Sequence, residues 1–164
     1  MIRYARFNTA LGPVFATADD CAVTGIYFEG QRHAPAISSG WREDSKHPLL
    51  AECARQLTGY LAGKRDSFDL PLAPLGTAFQ QSVWKQIARI PRGETLTYAE
   101  LAERAGRPGA ARAAGAATGR NPISVVVPCH RVVGTNGSLT GYAGGIPRKV
   151  KLLEMEGALE AQTA

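Results

Sequence analysis

A proline-rich segment, residues 70–76 (LPLAPLG), separates two stretches of the chain that differ in hydrophobic periodicity. Before it, short alternating runs bounded by turn residues predict three strands of an antiparallel meander, at residues 2–7, 14–17 and 23–28. After a polar, irregular stretch at 29–47, apolar residues recur at helical spacing over 50–61, which predicts one helix. We therefore expect an α+β fold, with a small N-terminal antiparallel sheet and helix in residues 1–74.

The second domain, residues 75–164, is predicted to be mainly helical. Two capping boxes mark helix starts there, Thr77 with Gln80 and Thr97 with Glu100. The helix after Thr97 should end at Gly106, and Pro108 should stand in the first turn of the next helix, residues 109–117. Two short helices around a glycine turn have the outline of a helix-turn-helix.

The helix at 109–117 (GAARAAGAA) has no stripe of bulky apolar residues. Its small side chains would let its backbone approach another surface closely, and Arg112 could project from it into a nucleic acid duplex. Tight packing in the core explains the same composition. The spacing alone leaves both interpretations open.

Cys129 lies within the cluster Pro128-Cys129-His130-Arg131, directly after the apolar run 123–127. We expect that run to be a short buried strand that delivers Cys129 to its end. A nucleophilic thiol needs a base or a cation nearby, and His130 and Arg131 follow at once. A buried structural cysteine is the alternative.

His130 cannot simply serve as the base for its own neighbour, because successive side chains diverge on a helix and on a strand. A relay through water is more plausible than direct contact. Glu156 falls in the last turn of the final predicted helix, opened by Pro147 and with Val150, Leu152 and Leu153 facing inward. A carboxylate there opposes the helix dipole, so it indicates a compensating cation, which His130 would supply. A solvated glutamate is the alternative.

The composition is that of an ordinary globular protein, with 45% hydrophobic and 20% charged residues. A net charge of +5 favours an anionic partner such as nucleic acid. Cys21, Cys53 and Cys129 show no CxxC spacing, so neither a disulfide framework nor a clustered zinc site is indicated. Cys53 falls on the apolar face of its predicted helix, which predicts a buried structural thiol. No signal peptide or membrane-spanning run is evident, so we expect a cytoplasmic protein without membrane contact.

The second half of the chain contains several ordered blocks: FQQSVW (79–84), IPRGET (90–95), RPGAAR (107–112), NPI (121–123), VPCHRV (127–132) and GYAGG (141–145). Together they resemble the O6-alkylguanine-DNA alkyltransferases, also called methylated-DNA-protein-cysteine methyltransferases. Residues 1–70 resemble the N-terminal domain of that family mainly in size and in the order of strands and helix.

This resemblance implies that Cys129 accepts the alkyl group and that His130 and Glu156 complete the proton relay. It also implies that Asn121 braces the active site against the recognition helix. The Tyr98 hydroxyl would rotate the phosphate and donate a proton or a hydrogen bond toward the base. The backbone carbonyls of Cys129 and Val132 would accept from the guanine amino group, and the segment Tyr142-Ala143 would close the pocket. Some relatives have serine at the position of Ala143, so a hydroxyl contact there is lost.

The resemblance assigns the alanine-rich helix to the minor groove of DNA. Arg112 would enter the base stack in place of an extruded guanine, and the small residues of the helix would contact the duplex; these are Ala110, Ala111, Ala113 and Gly115. Three further arginines are candidate phosphate ligands on charge and position, with a solvated surface role equally open; they are Arg92, Arg107 and Arg120.

The implied activity is direct reversal of DNA damage in a single turnover, with double-stranded DNA carrying O6-alkylguanine as the partner. Activity on O4-alkylthymine and cooperative binding to DNA are left open, and the protein is expected to be a monomer. Certain relatives hold zinc in the first domain, but the cysteines and histidines here do not reproduce that pattern; they are Cys21, Cys53, His33 and His47. No metal and no cofactor is expected.

Two other classes of protein fit part of the sequence. A thiol hydrolase would use a cysteine and histidine pair, but it would turn over many times and would need an oxyanion hole that we cannot assign. A helix-turn-helix binding module would explain the basic charge, but it leaves the cluster at 128–131 unused and would prefer a sequence rather than a lesion.

Overall fold

The computed structural model describes residues 1–159, in two compact units. The first unit comprises residues 1–75 together with 122–126, and the second comprises residues 76–121 and the chain from 127 onward. The long strands lie in the first half of the chain and most helices in the second, so the predicted α+β fold class is confirmed. That the two halves are independent domains stays a prediction.

The first unit is a four-stranded sheet with one helix. The elements are β1 (Arg3–Thr9), β2 (Gly12–Ala18), β3 (Val23–Phe28), β4 (Arg42–Glu43) and α1 (Pro48–Leu61). The sheet order is β3-β2-β1-β4, with the predicted antiparallel meander forming three of the strands. The sequence did not predict β4, which pairs parallel to β1 within the polar stretch after residue 29. Cys53 is buried on the apolar face of α1, as expected.

The strand predicted at 123–127 is wrong. Only Ile123 pairs, in an isolated parallel bridge with Ile26, and residues 124–126 form a turn in which Val125 has a φ of 71°. Ile26 N–H donates to Pro122 O, and Ser124 N–H donates to Ile26 O, so the pairing ends after one residue. The apolar run reflects burial rather than extended backbone, and periodicity cannot separate the two in so short a run.

The second unit is mainly helical. Its elements are α2 (Ala78–Ala88), β5 (Leu96–Thr97), α3 (Tyr98–Arg104), α4 (Ala111–Gly119), a 3-10 helix (Cys129–Arg131), β6 (Val132–Val133), a second 3-10 helix (Thr135–Gly137) and α5 (Ile146–Met155). Both predicted capping boxes form, at Thr77 and at Thr97. The buried Trp84 indole N–H donates to Ala117 O at 2.8 Å, which ties α2 to α4.

The turn between α3 and α4 is longer than predicted. Gly106 and Gly109 both have positive φ, 87° and 83°, so the chain turns twice before α4 begins at Ala111. Pro108 therefore lies in this turn and not in the first turn of the helix, which corrects the prediction. The two helices and their glycine turn keep the predicted outline of a helix-turn-helix.

β5 and β6 pair in parallel, with Leu96 opposite Val132 and Thr97 opposite Val133. Because Tyr98 follows β5 and Cys129 lies just before β6, this short pairing brings the start of α3 close to the 3-10 helix that carries the cysteine. No helix within residues 1–159 is both long enough and apolar enough to cross a bilayer.

Candidate active site

Cys129 begins the 3-10 helix Cys129–Arg131, and all three side chains of that helix are buried. Two backbone hydrogen bonds fix its entry, from Cys129 N–H to Val127 O at 2.8 Å and from Arg131 N–H to Pro128 O at 2.9 Å. A 3-10 helix places successive side chains about a third of a turn apart. Cys129 and His130 therefore point in different directions from one tight turn.

Glu156, at the end of α5, accepts hydrogen bonds from two residues of that turn. His130 Nε2 lies 2.9 Å from Oε1, and Arg131 donates from Nε to Oε1 and from Nη2 to Oε2, both at 2.9 Å. Glu156 is only 5% exposed, which excludes the solvated alternative. The fixed cation beside this carboxylate is Arg131, whereas the sequence analysis expected His130 to supply the charge.

The His130 imidazole is neutral in this setting. Burial lowers its pKa and outweighs the hydrogen bond and charge of Glu156, which act to raise it. A neutral ring facing a carboxylate donates its proton from Nε2, so Nδ1 carries the free lone pair. Nδ1 is buried and has no hydrogen-bond partner among the described residues. Buried polar atoms of this kind are usually satisfied by water.

The Cys129 thiol is protonated at rest. Burial raises its pKa, and this outweighs the side chain of Asn121, the charge of Lys149 and the backbone N–H groups of Cys129 and His130, which all lower it. An attack by sulfur therefore requires a proton acceptor during the reaction, because the thiolate is the nucleophilic form.

Asn121 follows α4 and is buried. Its Nδ2 donates to Val127 O at 2.9 Å, and its side chain also hydrogen-bonds to Cys129. One amide thus connects the end of α4 to the backbone that leads into the 3-10 helix. The structure brings this residue to the cysteine, as the resemblance implied.

Tyr98 lies at the first position of α3, half-buried. Its hydroxyl donates to Thr140 O at 3.0 Å and lies 3.4 Å from Gly141 O, in the loop before α5. Burial first, and then the charge of Cys129, raise the pKa of Tyr98, so the hydroxyl is a proton donor at neutral pH.

The residues predicted to form the substrate pocket lie in β6, next to the cysteine turn, and in the loop before α5. Val132 is fully buried in β6, while the rings of Tyr142 and His130 meet edge to face, with centroids 6.4 Å apart. The Tyr142 hydroxyl is buried without a partner among the described residues, and burial raises its pKa well above the ordinary value. Ala143 is half-buried beside it.

The sequence analysis missed Lys149. Its side chain is fully buried, and its Nζ donates to Val132 O at 2.5 Å. The signal was present, because position 149 lies on the same helical face as Leu152, Leu153 and Glu156. Lys149 occupies the inward position that was expected for Val150, which is only half-buried.

The alanine-rich helix α4 has two faces of different exposure. Ala114, Ala117 and Thr118 are buried in the second unit. The opposite side is open or half-open, at Ala110, Ala111, Arg112, Ala113, Gly115 and Ala116. Tight packing is therefore confirmed for one face of α4. The other face is open, with Arg112 exposed near the helix start, and its approach to a duplex stays a prediction.

The three other arginines lie at different points of the second unit. Arg107 stands over the Phe79 ring at 4.4 Å, an arrangement typical of a cation–π contact. Arg92 donates to Met155 O at 3.3 Å, and Arg120 is exposed after α4.

No group of three or more potential metal ligands forms within residues 1–159. Cys21 is exposed, Cys53 is buried, and burial raises the pKa of Cys53 to about 12. Neither thiol belongs to the cluster around Cys129.

Two family models match the chain. The ribonuclease-like domain of 6-O-methylguanine DNA methyltransferase matches residues 2–74, and the DNA binding domain of 6-O-methylguanine DNA methyltransferase matches residues 78–158.

Proteins named methylated-DNA–protein-cysteine methyltransferase are similar to this chain over nearly their full length. The methylated-DNA–protein-cysteine methyltransferase of Methanosarcina acetivorans is 44% identical, covering 94% of this chain and 98% of its own. That of Mycobacterium tuberculosis is also 44% identical, covering 95% and 93%. A crystal structure of Mycobacterium tuberculosis OGT in complex with DNA superimposes with a TM-score of 0.86 at 42% identity, covering 95% of this chain and 93% of that one.

Proposed function

The chain belongs to the 6-O-methylguanine DNA methyltransferase family and is a direct-reversal DNA repair enzyme, and within that activity we propose that Cys129 takes the alkyl group from O6-alkylguanine. The observation that supports this assignment is the buried arrangement of Cys129, His130 and Glu156, in which a protonated thiol lies near a neutral imidazole whose Nδ1 can accept a proton. DNA is the partner, and the alkylated guanine is the proposed substrate within it.

The reaction is a displacement at the alkyl carbon. The thiol proton moves through a water molecule to Nδ1 of His130, and Glu156 stabilises the resulting imidazolium across its 2.9 Å contact with Nε2. A sulfur–carbon bond forms while the bond between that carbon and guanine O6 breaks. Tyr98, whose raised pKa keeps its proton on at neutral pH, donates a hydrogen bond toward O6 and stabilises the departing charge. The proton that left the thiol ends on the repaired guanine.

Asn121 supports the sulfur in this scheme. Its side chain hydrogen-bonds to Cys129 and lowers the thiol pKa, while the same amide holds Val127 O. The carbonyls of Cys129 and Val132 receive the guanine amino group, and Tyr142 with Ala143 close the pocket. Each of these groups lies on or beside the cysteine turn or in the loop before α5.

The alkylated base must leave the double helix to reach a buried thiol. Extrusion of a base costs about a few kcal/mol, and a side chain that fills the gap offsets part of that cost. Arg112 is the long, exposed side chain near the start of α4, and the open face formed by Ala110, Ala111, Ala113 and Gly115 permits close approach to the minor groove. Arg92, Arg107 and Arg120 are proposed phosphate contacts around it.

Each protein molecule acts once in this proposal, because a thioether on Cys129 has no chemical route back to the thiol in the site described. A thiol hydrolase would instead turn over repeatedly, so a burst of transfer without further turnover would separate it from this proposal. A pure helix-turn-helix binding module would leave the buried ion pair and thiol unused. A monomeric state, a cytoplasmic location and any activity on O4-alkylthymine stay predictions from the sequence.

The test is transfer of labelled methyl from an O6-methylguanine duplex to three proteins: wild type, Cys129→Ser and Cys21→Ser. We expect wild type and Cys21→Ser to take the label and Cys129→Ser to take none while still binding the damaged duplex. Transfer to Cys129→Ser at the wild-type rate would exclude Cys129 as the acceptor.

A further inference from the structure

Lys149 is a fully buried lysine whose ammonium donates its described hydrogen bonds to backbone oxygens. It donates to Val132 O at 2.5 Å, and to Thr140 O and Gly141 O at 3.3 Å each. These carbonyls belong to two separate segments, the short strand after the cysteine turn and the loop before α5. Burying a charged group costs free energy unless its hydrogen-bond donors are satisfied. Here the three carbonyls satisfy the ammonium group.

Two of the three carbonyls are shared. The Tyr98 hydroxyl, from α3, donates to Thr140 O at 3.0 Å and lies 3.4 Å from Gly141 O. A carbonyl oxygen has two lone pairs, so it can accept from Tyr98 and Lys149 at once. Tyr98 is also the residue proposed to donate a hydrogen bond toward guanine O6, and its single hydroxyl proton cannot do so while it is donated to Thr140 O.

We propose that Lys149 is a positioning residue for alkyl transfer: its ammonium ties the loop at 140–141 to the Val132 carbonyl and keeps the pocket closed beside Cys129 when the Tyr98 hydroxyl donates to guanine O6 instead of to that loop. This inference rests on the proposed function. The loop that it holds contains Tyr142 and Ala143, and the carbonyl that it holds is the proposed acceptor for the guanine amino group.

The charge of Lys149 also bears on the reacting sulfur. Burial lowers the pKa of Lys149 to about 8, and Cys129 acts in the opposite direction. The positive charge in turn lowers the pKa of the Cys129 thiol and that of His130. The ionisable groups that face the ammonium are therefore Cys129 and His130 from the cysteine turn and Tyr98 from α3.

The experiment compares Lys149→Met with Lys151→Met, an identical change on the exposed side of the same helix. The substrate is the free base O6-methylguanine, which needs the pocket but no DNA contact. At pH 7 we expect Lys149→Met to react about tenfold or more slowly than wild type, because a buried charged donor is lost, and Lys151→Met to match wild type. The ratio of wild-type to Lys149→Met rate should fall as pH rises through about 8, where Lys149 loses its proton.

If Lys149 had only a structural role, the ratio of the wild-type rate to the Lys149→Met rate would not change with pH, and that result would overturn the proposal. Rates of the two proteins that differ by less than about twofold would overturn it as well. Circular dichroism checks that each variant is folded. If Lys149→Met does not fold, amide hydrogen exchange at residues 138–144 of the wild-type protein is measured instead. After correction for intrinsic exchange, the protection of these amides should fall as pH rises through about 8. Unchanged protection would overturn the proposal. If wild-type protein itself takes no methyl group, the proposed function has failed, which is a separate result.

Discussion

Nε2 of His130 lies 2.9 Å from Oε1 of Glu156, and neither side chain has any exposed surface. Arg131 donates to both oxygens of the same carboxylate, which holds Glu156 in place as it accepts the hydrogen bond from Nε2. The tautomer of His130 is thereby fixed, with the free lone pair on Nδ1. In the proposed reaction this allows His130 to act on Cys129 through water, although the two side chains diverge.

The first prediction concerns this histidine. His130→Asn should slow methyl transfer from duplex DNA by about 10²–10⁴-fold, since a positioned general base is removed. Affinity for the duplex should change little. Single-turnover kinetics and a gel-shift assay measure the two quantities.

The matched control is His33→Asn, an exposed histidine of the first unit with a positive φ that asparagine tolerates. It should transfer methyl at the wild-type rate. Transfer by His130→Asn within about threefold of wild type would remove His130 from the proton route.

The second prediction concerns Asn121. Asn121→Leu removes the hydrogen bond to Val127 O and the one to Cys129, so we expect a loss of about 1–3 kcal/mol in the free energy of unfolding. The thiol pKa of Cys129 should rise further, because a group that lowers it is gone. Urea unfolding measures the stability, and the pH dependence of iodoacetamide labelling at Cys129 measures the pKa. A lower thiol pKa in this variant would contradict the assignment.

Much of the fold follows from local sequence signals. The capping boxes at Thr77 and Thr97 form as predicted, because each involves only the side chains and backbone N–H groups of two residues three positions apart. The turn at 124–126 was not predictable, since a β-branched run indicates burial without fixing the backbone. β4 was missed because Arg42 and Glu43 lie in a polar stretch and pair with β1 only through long-range contact.

The site was predictable in part for similar reasons. Cys129 and His130 are adjacent in sequence, and Glu156 was identified because a carboxylate in the last turn of a helix opposes the helix dipole. The role of Arg131 required the fold, because its guanidinium reaches Glu156 and Ile90 O across two other elements. Lys149 was passed over because lysine is rarely fully buried, and only the tertiary structure supplies the three carbonyls that satisfy it.

The third prediction separates base extrusion from chemistry. Arg112→Ala should slow repair of duplex DNA by tenfold or more while leaving the reaction with free O6-methylguanine within about twofold, because Arg112 is exposed near the start of α4 and is not one of the residues described around Cys129. Its thermal stability should stay close to wild type.

Arg55→Ala, an exposed arginine on α1 paired with Glu52, is the control and should leave both rates unchanged. Equal slowing of the duplex and free-base reactions by Arg112→Ala would contradict a role in base extrusion.

The fourth prediction concerns the three thiols. In the folded protein, a bulky disulfide reagent should label Cys21 first, because it is the exposed thiol. Cys53 should stay unlabelled at pH 8, since burial raises its pKa to about 12. Peptide mapping after brief labelling checks this order. Early modification of Cys53 would show that α1 does not pack as described.

The most direct test of the central claim is intact-mass analysis of the protein after incubation with excess O6-methylguanine duplex, followed by peptide mapping. We predict a gain of one CH2 unit per molecule, located on Cys129, with no further gain on longer incubation and one guanine restored for each protein consumed. An unchanged protein mass with repaired DNA, or a methyl group on any other residue, would contradict the account.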